Sequence, residues 1–343
     1  MLGASGRQRE IPVDSLTNSE TSVVAEHEAA CVVLARVAEQ IGRALVGQRE
    51  VVEHVLMALF AGGHVLLEGV PGLGKTLLVR ALAKTFGGAF ARIQFTPDLM
   101  PSDVTGHALY DLKSQEFRVR KGPVFTHLLL ADEINRAPAK TQAALLEVMQ
   151  EGQVTIEGQS FELPRPFMVL ATQNPIEQEG TYPLPEAQLD RFLLKVLMRY
   201  PEAEEEGRLV RRVTAGQVGD ALDVSPVETV ITAAVVESVR ARVADIGVDD
   251  RIVDYAVRLV RATREWPGIA LGAGPRGSIA LIRAARAAAV LAARDYVIPD
   301  DIKAVALPAL RHRIALSPEL DMEGSSGDDV LCELLEKVEA PRH

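Results

Sequence analysis

A three-layer α/β architecture, with a five-stranded parallel sheet between helices and an all-helical domain after it, is predicted by three observations. Short apolar runs at 64–68, 91–95, 126–131, 167–171 and 193–198 alternate with segments whose apolar residues recur at three- and four-residue steps. Parallel strands need a crossover for each return, so this alternation points to a parallel sheet with helices on both faces. Three of the runs end in residues with binding chemistry, Gly69, Asp132 and Asn174. The carboxyl ends of parallel strands are where such sheets place their ligand crevice. After Tyr200-Pro201 only helical periodicity remains, over 202–213, 226–244, 249–265, 276–294 and 299–311.

Composition bounds the function. At 343 residues the chain exceeds the size at which one hydrophobic core stops growing, so at least two domains are expected. Apolar residues at 48% and charged residues at 24% are ordinary globular usage, whereas aromatics at 4% leave the core to Leu, Val, Ile and Ala. With 37 Lys plus Arg against 47 Asp plus Glu, the net charge of -10 disfavours an open grip on phosphate backbones, so a nucleic-acid partner is not expected. Cys31 and Cys332 lie near opposite ends, without metal-ligand or redox spacing, and the seven histidines show no paired ligand spacing. The longest stretch free of Asp, Glu, Lys and Arg is 54–67, too short and glycine-broken to span a membrane, and the amino terminus lacks the apolar core of a signal peptide. A cytoplasmic protein without an integral membrane segment is the resulting expectation.

The elements follow in order. Residues 1–25 are polar with little apolar periodicity and read as a flexible arm, before helices over 26–44 and 48–60. The strand at 64–68 runs into Gly69-Val-Pro-Gly-Leu-Gly-Lys-Thr76 and a helix over 77–86, which fits the spacing G-x-x-x-x-G-K-[ST]. In that arrangement Gly69, Gly72 and Gly74 turn backbone N–H groups onto phosphates, Pro71 lies within the same nucleotide-binding loop, and Leu77 lies in the first turn of a helix whose amino end adds partial positive charge. Lys75 reaches the β- and γ-phosphates, and the Thr76 hydroxyl ligates Mg²⁺. Thr96 to Asp103 is punctuated by two prolines and reads as a loop, and 110–119 is suited to a hairpin. The strand at 126–131 ends in Asp132-Glu133, and a helix over 138–150 follows. Residues 153–162 alternate apolar and polar about Glu157-Gly158, the pattern of a second hairpin.

Asp132 and Glu133 supply what triphosphate hydrolysis still requires, one carboxylate for the metal shell and one to activate water. Asn174, at a neighbouring strand tip, suits positioning of that water, and equally suits capping of the turn at Gln173-Asn-Pro175. Arg191, read alone, is an ordinary surface or ion-pair arginine.

Taken together, G-V-P-G-L-G-K-T, L-L-L-A-D-E-I-N-R-A, A-T-Q-N-P, L-P-E-A-Q-L-D-R-F and the late G-P-R-G-S resemble, in content and order, the MoxR family of AAA+ ATPases over roughly residues 30–315. The resemblance implies an ATP- and Mg²⁺-dependent ATPase with a P-loop core over 26–200 and a helical lid over 201–343. It implies the Walker A loop at 69–76, Walker B at 128–133, sensor 1 at Asn174, an arginine finger at Arg191 and sensor 2 at Arg276. The segments 97–122 and 153–162 look like the inserts of the helix-2-insert clade. The family further implies a ring, expected to be a hexamer, and a chaperone-like remodeller whose partners carry von Willebrand factor A domains. Because the sequence stops soon after the lid, any partner-recruiting domain is expected on another polypeptide. A metal-chelatase motor subunit and a helicase-type motor are the rival readings.

Overall fold

The computed structural model describes residues 13–113, 115–174, 180–214 and 223–341, with side chains from residue 26 onward. Helices α1 (Val13–Ala44) and α2 (Arg49–Phe60) precede β1 (Val65–Glu68), α3 (Lys75–Thr85) and β2 (Phe90–Gln94). Then come the single-turn α4 (Pro101–Thr105), the hairpin β3–β4 (Gly106–Asp111 and Glu116–Lys121), β5 (Leu128–Asp132) and α5 (Ala139–Glu151). A second hairpin β6–β7 (Gln153–Ile156 and Gln159–Glu162), β8 (Met168–Gln173), the short α6 (Glu186–Leu189) and β9 (Leu194–Leu197) complete the α/β part. The lid contains α7 (Ala203–Thr214), α8 (Ala233–Ala244), α9 (Asp250–Ala262), β10 (Ile269–Leu271), α10 (Pro275–Leu291), α11 (Pro299–Leu310), β11 (Ala315–Leu316), α12 (Pro318–Met322) and α13 (Gly327–Lys337).

The five expected strands form one parallel sheet in the order β2-β5-β8-β1-β9. Side chains alternate across it, so Val65 and Leu67 of β1 enter one apolar layer and Leu66 enters the other. The first layer lies against α1, α2 and α3 and continues without a break into the lid, through Tyr255, Leu281, Val305 and Leu331. The second lies against α5 and β6. Both hairpins form where they were expected, and they project as separate two-stranded sheets.

Four features differ from the sequence reading. Helix α1 begins at Val13, directly after Pro12, so the second half of the expected arm is helical; no Gly or Pro interrupts the chain from there to Gly42. The first twelve residues of that arm lie outside the described residues. Within the expected loop at 96–103, Pro101 starts α4, where its fixed φ suits the first helical turn. Helix α8 starts at Ala233 rather than near 226, because the Val230 and Ile231 N–H groups bond the Thr85 carbonyl at 2.8 and 3.2 Å and hold that segment extended until Thr232 caps the helix. The lid is not helical throughout, since β10 and β11 pair antiparallel. That pairing joins residues some 45 apart, beyond the reach of local periodicity. No helix among the described residues is long and apolar enough to cross a membrane.

Candidate active site

The loop between β1 and α3 is built by glycines at positive φ: Gly72 at 89° and Gly74 at 83°, a region costly for any residue with a Cβ. Gly69 is required sterically, since a Cβ there would lie 2.7 Å from the Met198 carbonyl oxygen. Lys75 opens α3 and its Nζ donates to the Gly69 carbonyl at 2.5 Å, so the ammonium lies over the loop it belongs to. Burial pushes the Lys75 pKa down, while Asp132, Glu133 and Glu68 pull it back up. A lysine facing three carboxylates beside a glycine cradle matches the charge pattern of a triphosphate with its cation.

Register brings the other predicted residues to this edge. Glu68 pairs with Gln173 and Gln94 with Asp132, so Asn174, buried at 8% exposure, stands beside Gly69. Asp132 is fixed by two groups absent from the sequence reading: Thr172 donates to Oδ1 at 2.5 Å, and the Arg92 Nη2 donates to Oδ2 at 2.5 Å. Arg92 Nε reaches Oδ2 as well, at 3.2 Å, while Oδ1 keeps a further lone pair, so Asp132 can still serve a cation's water shell through Oδ1. Glu133 leaves the strand with φ 54° and ψ 52°, and its N–H donates to Thr172 Oγ1 at 2.8 Å. Its Oε2 accepts from Gln94 Nε2 at 2.8 Å and from Arg136 at 3.2 Å. Arg92 and Gln94 alternate on β2, so both present to the same side of the edge strand. Lys195 on β9 pairs with Glu68 at 2.7 Å, which steadies the residue ahead of the loop. Among the described residues, no group of three His, Cys, Asp or Glu side chains is placed to hold a metal alone.

Beside the same strand ends, a cavity of about 350 Å³ is lined by Gln48, His54, Val196, Leu197 and Tyr200 from the α/β part and Arg311 from the lid. Gln48 Nε2 donates to the Arg199 carbonyl at 2.8 Å and holds the lead-in turn at Gly47, where φ is 74°. Its size suits a planar base with its sugar. The Val46-Gly47-Gln48 turn was legible in sequence only as a link between helices.

Arg191 and Arg276 are not in this crevice. Both line a different cavity of about 370 Å³, with Gly63 and His64 at the opposite end of β1, and with Asp190, Arg283 and Arg313. From Gly63 to Gly69 is six residues of extended chain, about 20 Å, farther than an arginine side chain extends.

Comparison with known proteins places relatives over most of the chain. The model of the ATPase family associated with various cellular activities matches residues 64–194, and that of the AAA lid domain matches 261–334. The chain is 49% identical to the protein YeaC of Bacillus subtilis over 90% of this chain and 95% of that one. It is 46% identical to chaperone MoxR1 of Mycobacterium tuberculosis over 90% of this chain and 82% of that one. A crystal structure of a candidate ATPase from Cytophaga hutchinsonii, 42% identical, superposes with a TM-score of 0.86 over 96% of this chain and 99% of that one.

Proposed function

Since this chain belongs to the MoxR-type AAA+ ATPases and binds and hydrolyses nucleotide, we propose that it works as a ring, a hexamer, in which each active site is shared by two subunits. The reading is supported above all by the two arginines at the far end of β1 from their own P-loop. In it, Lys75 and the loop amides hold the phosphates, and Thr76 and Asp132 hold Mg²⁺, whose charge offsets that of the phosphates. Glu133 takes a proton from the attacking water, which Asn174 orients. Arg191 and Arg276 reach the γ-phosphate of the neighbouring subunit and stabilise charge in the transition state, a contribution worth ~10³ to 10⁵ in turnover for a finger supplied in trans. The core over 26–200 and the lid over 201–343 act together as one subunit. The work done is chaperone-like remodelling of a protein client in the cytoplasm; the family resemblance points to a partner bearing a von Willebrand factor A domain.

Mixing two inactive variants tests the shared site. Arg191→Ala keeps an intact P-loop and Lys75→Ala keeps intact arginines. Under subunit exchange, phosphate release should recover in the mixture. A mixture that co-assembles yet stays as inactive as its parts would remove Arg191 from the neighbour's site.

A further inference from the structure

The turn that carries Arg191 is held from the lid. Arg313, only 3% exposed at its side chain, donates Nε to Asp190 Oδ1 at 2.7 Å and Nη2 to the Phe192 carbonyl at 2.7 Å. Its Nη1 reaches the Leu193 carbonyl at 3.2 Å. The adjacent His312 Nε2 lies 3.1 Å from the Phe192 carbonyl and 2.7 Å from Arg313 Nη1, so one tautomer donates to the carbonyl and the other accepts from the guanidinium. The second oxygen of Asp190 faces Arg276 Nε at 3.9 Å. One carboxylate therefore stands between a buried arginine and an exposed one, on the residue next to Arg191. A guanidinium fork engaging one carboxylate and successive carbonyls fixes both direction and distance, which a lysine cannot do. Its length of grip, from Asp190 to Leu193, spans the whole turn.

We infer that Asp190 and Arg313 are positioning residues: together they set the angle at which Arg191 and Arg276 are presented, and they tie that angle to the placement of the lid. The inference rests on the shared-site reading above. Neither residue touches nucleotide in its own chain; each acts through the arginine it orients. Misplacing a transition-state group by about 1 Å can cost on the order of 100-fold in rate.

The test uses the full chain and the same subunit mixture, so that the two readings fail differently. Arg191→Ala is mixed either with Lys75→Ala or with Lys75→Ala/Asp190→Asn, so that all hydrolysis occurs at the Arg191→Ala P-loop and only the presentation of the donated arginines differs. Co-assembly is followed by native mass spectrometry. The expected result is that the second mixture co-assembles, keeps its KM for ATP within about twofold, and loses about 10- to 100-fold in kcat relative to the first. Failure of the first mixture to recover activity overturns the shared site. Recovery in both mixtures alike overturns the positioning role and leaves the shared site standing. Should Asp190→Asn prevent co-assembly, Lys75→Ala/Arg313→Lys replaces it, because lysine retains the charge but not the fork. Loss of assembly in that variant too assigns the contact to subunit folding alone and overturns the proposal.

Discussion

Glu133 sits on a backbone that non-glycine residues seldom adopt, φ 54° and ψ 52°, at a cost of ~1–3 kcal/mol that the surrounding bonds must offset. Thr172 does much of this by bonding both Asp132 and the Glu133 N–H, so the two carboxylates diverge from one hydroxyl. Glu133→Gln keeps size and much of the hydrogen bonding but not the ability to take a proton. It should therefore retain ATP affinity in a binding assay and lose ~10²- to 10⁴-fold in phosphate release, the usual value of a general base. Wild-type turnover in that variant would assign the base elsewhere. Lys75, Thr76, Asp132 and Glu133 were legible because their chemistry is contiguous in the chain. Arg92, Gln94 and Thr172 were not, because they act across strands, and only the register of β2, β5 and β8 brings them to the acidic pair.

Among the elements, α2 ends against the lid. Arg240 of α8 donates to the Leu59 carbonyl at 2.8 Å, and Arg283 of α10 donates to those of Ala61 and Gly62 at 2.7 and 3.1 Å. Two lid cations thus satisfy the carbonyl end of a core helix, where the backbone carries partial negative charge. Burial lowers the pKa of both guanidinium groups, and Glu237 opposes the shift at Arg240. Arg240→Met fills similar space without a donor and leaves the Leu59 carbonyl with the Gly62 N–H at 3.1 Å as its remaining partner, so we expect a loss of about 0.5–1.5 kcal/mol in denaturant unfolding. An unchanged midpoint would show that water replaces the arginine. The longer helices and the five sheet strands were readable from periodicity, because each long helix but α7 buries one face, whereas the short α4, α6 and α12 were not. The start of α8 and the strands β10 and β11 were not, since their backbone bonds go to distant segments such as Thr85.

At the scale of the whole molecule, acid should weaken the fold before carboxylate protonation takes over. His64 is fully enclosed, with Nδ1 accepting from the Val169 N–H at 3.0 Å and Nε2 donating to the Met149 carbonyl at 3.0 Å. Burial pushes its pKa down to about 4, and His312, in the lid, is likewise pushed well below its usual value. A proton on Nδ1 would set two donors against each other. The unfolded chain protonates near pH 6.5, so the stabilising contribution of neutral His64 is complete above that pH and is lost as pH falls toward 4. Between the unfolded value near 6.5 and about 4 in the fold, this is worth on the order of 3–4 kcal/mol. Unfolding midpoints measured from pH 7 to pH 5 should fall steadily; a flat profile would mean that His64 is protonated in the folded state. Both histidines lie where the α/β part meets other layers, which leads back to the unbroken apolar cluster running from Ala30 in α1 to Leu334 in α13. One apolar layer thus runs across the boundary expected near residue 200. Cutting there would strip the inner helices of their cover, so a fragment ending near residue 200 would present to water the apolar face that Tyr255, Leu281 and Val305 now close.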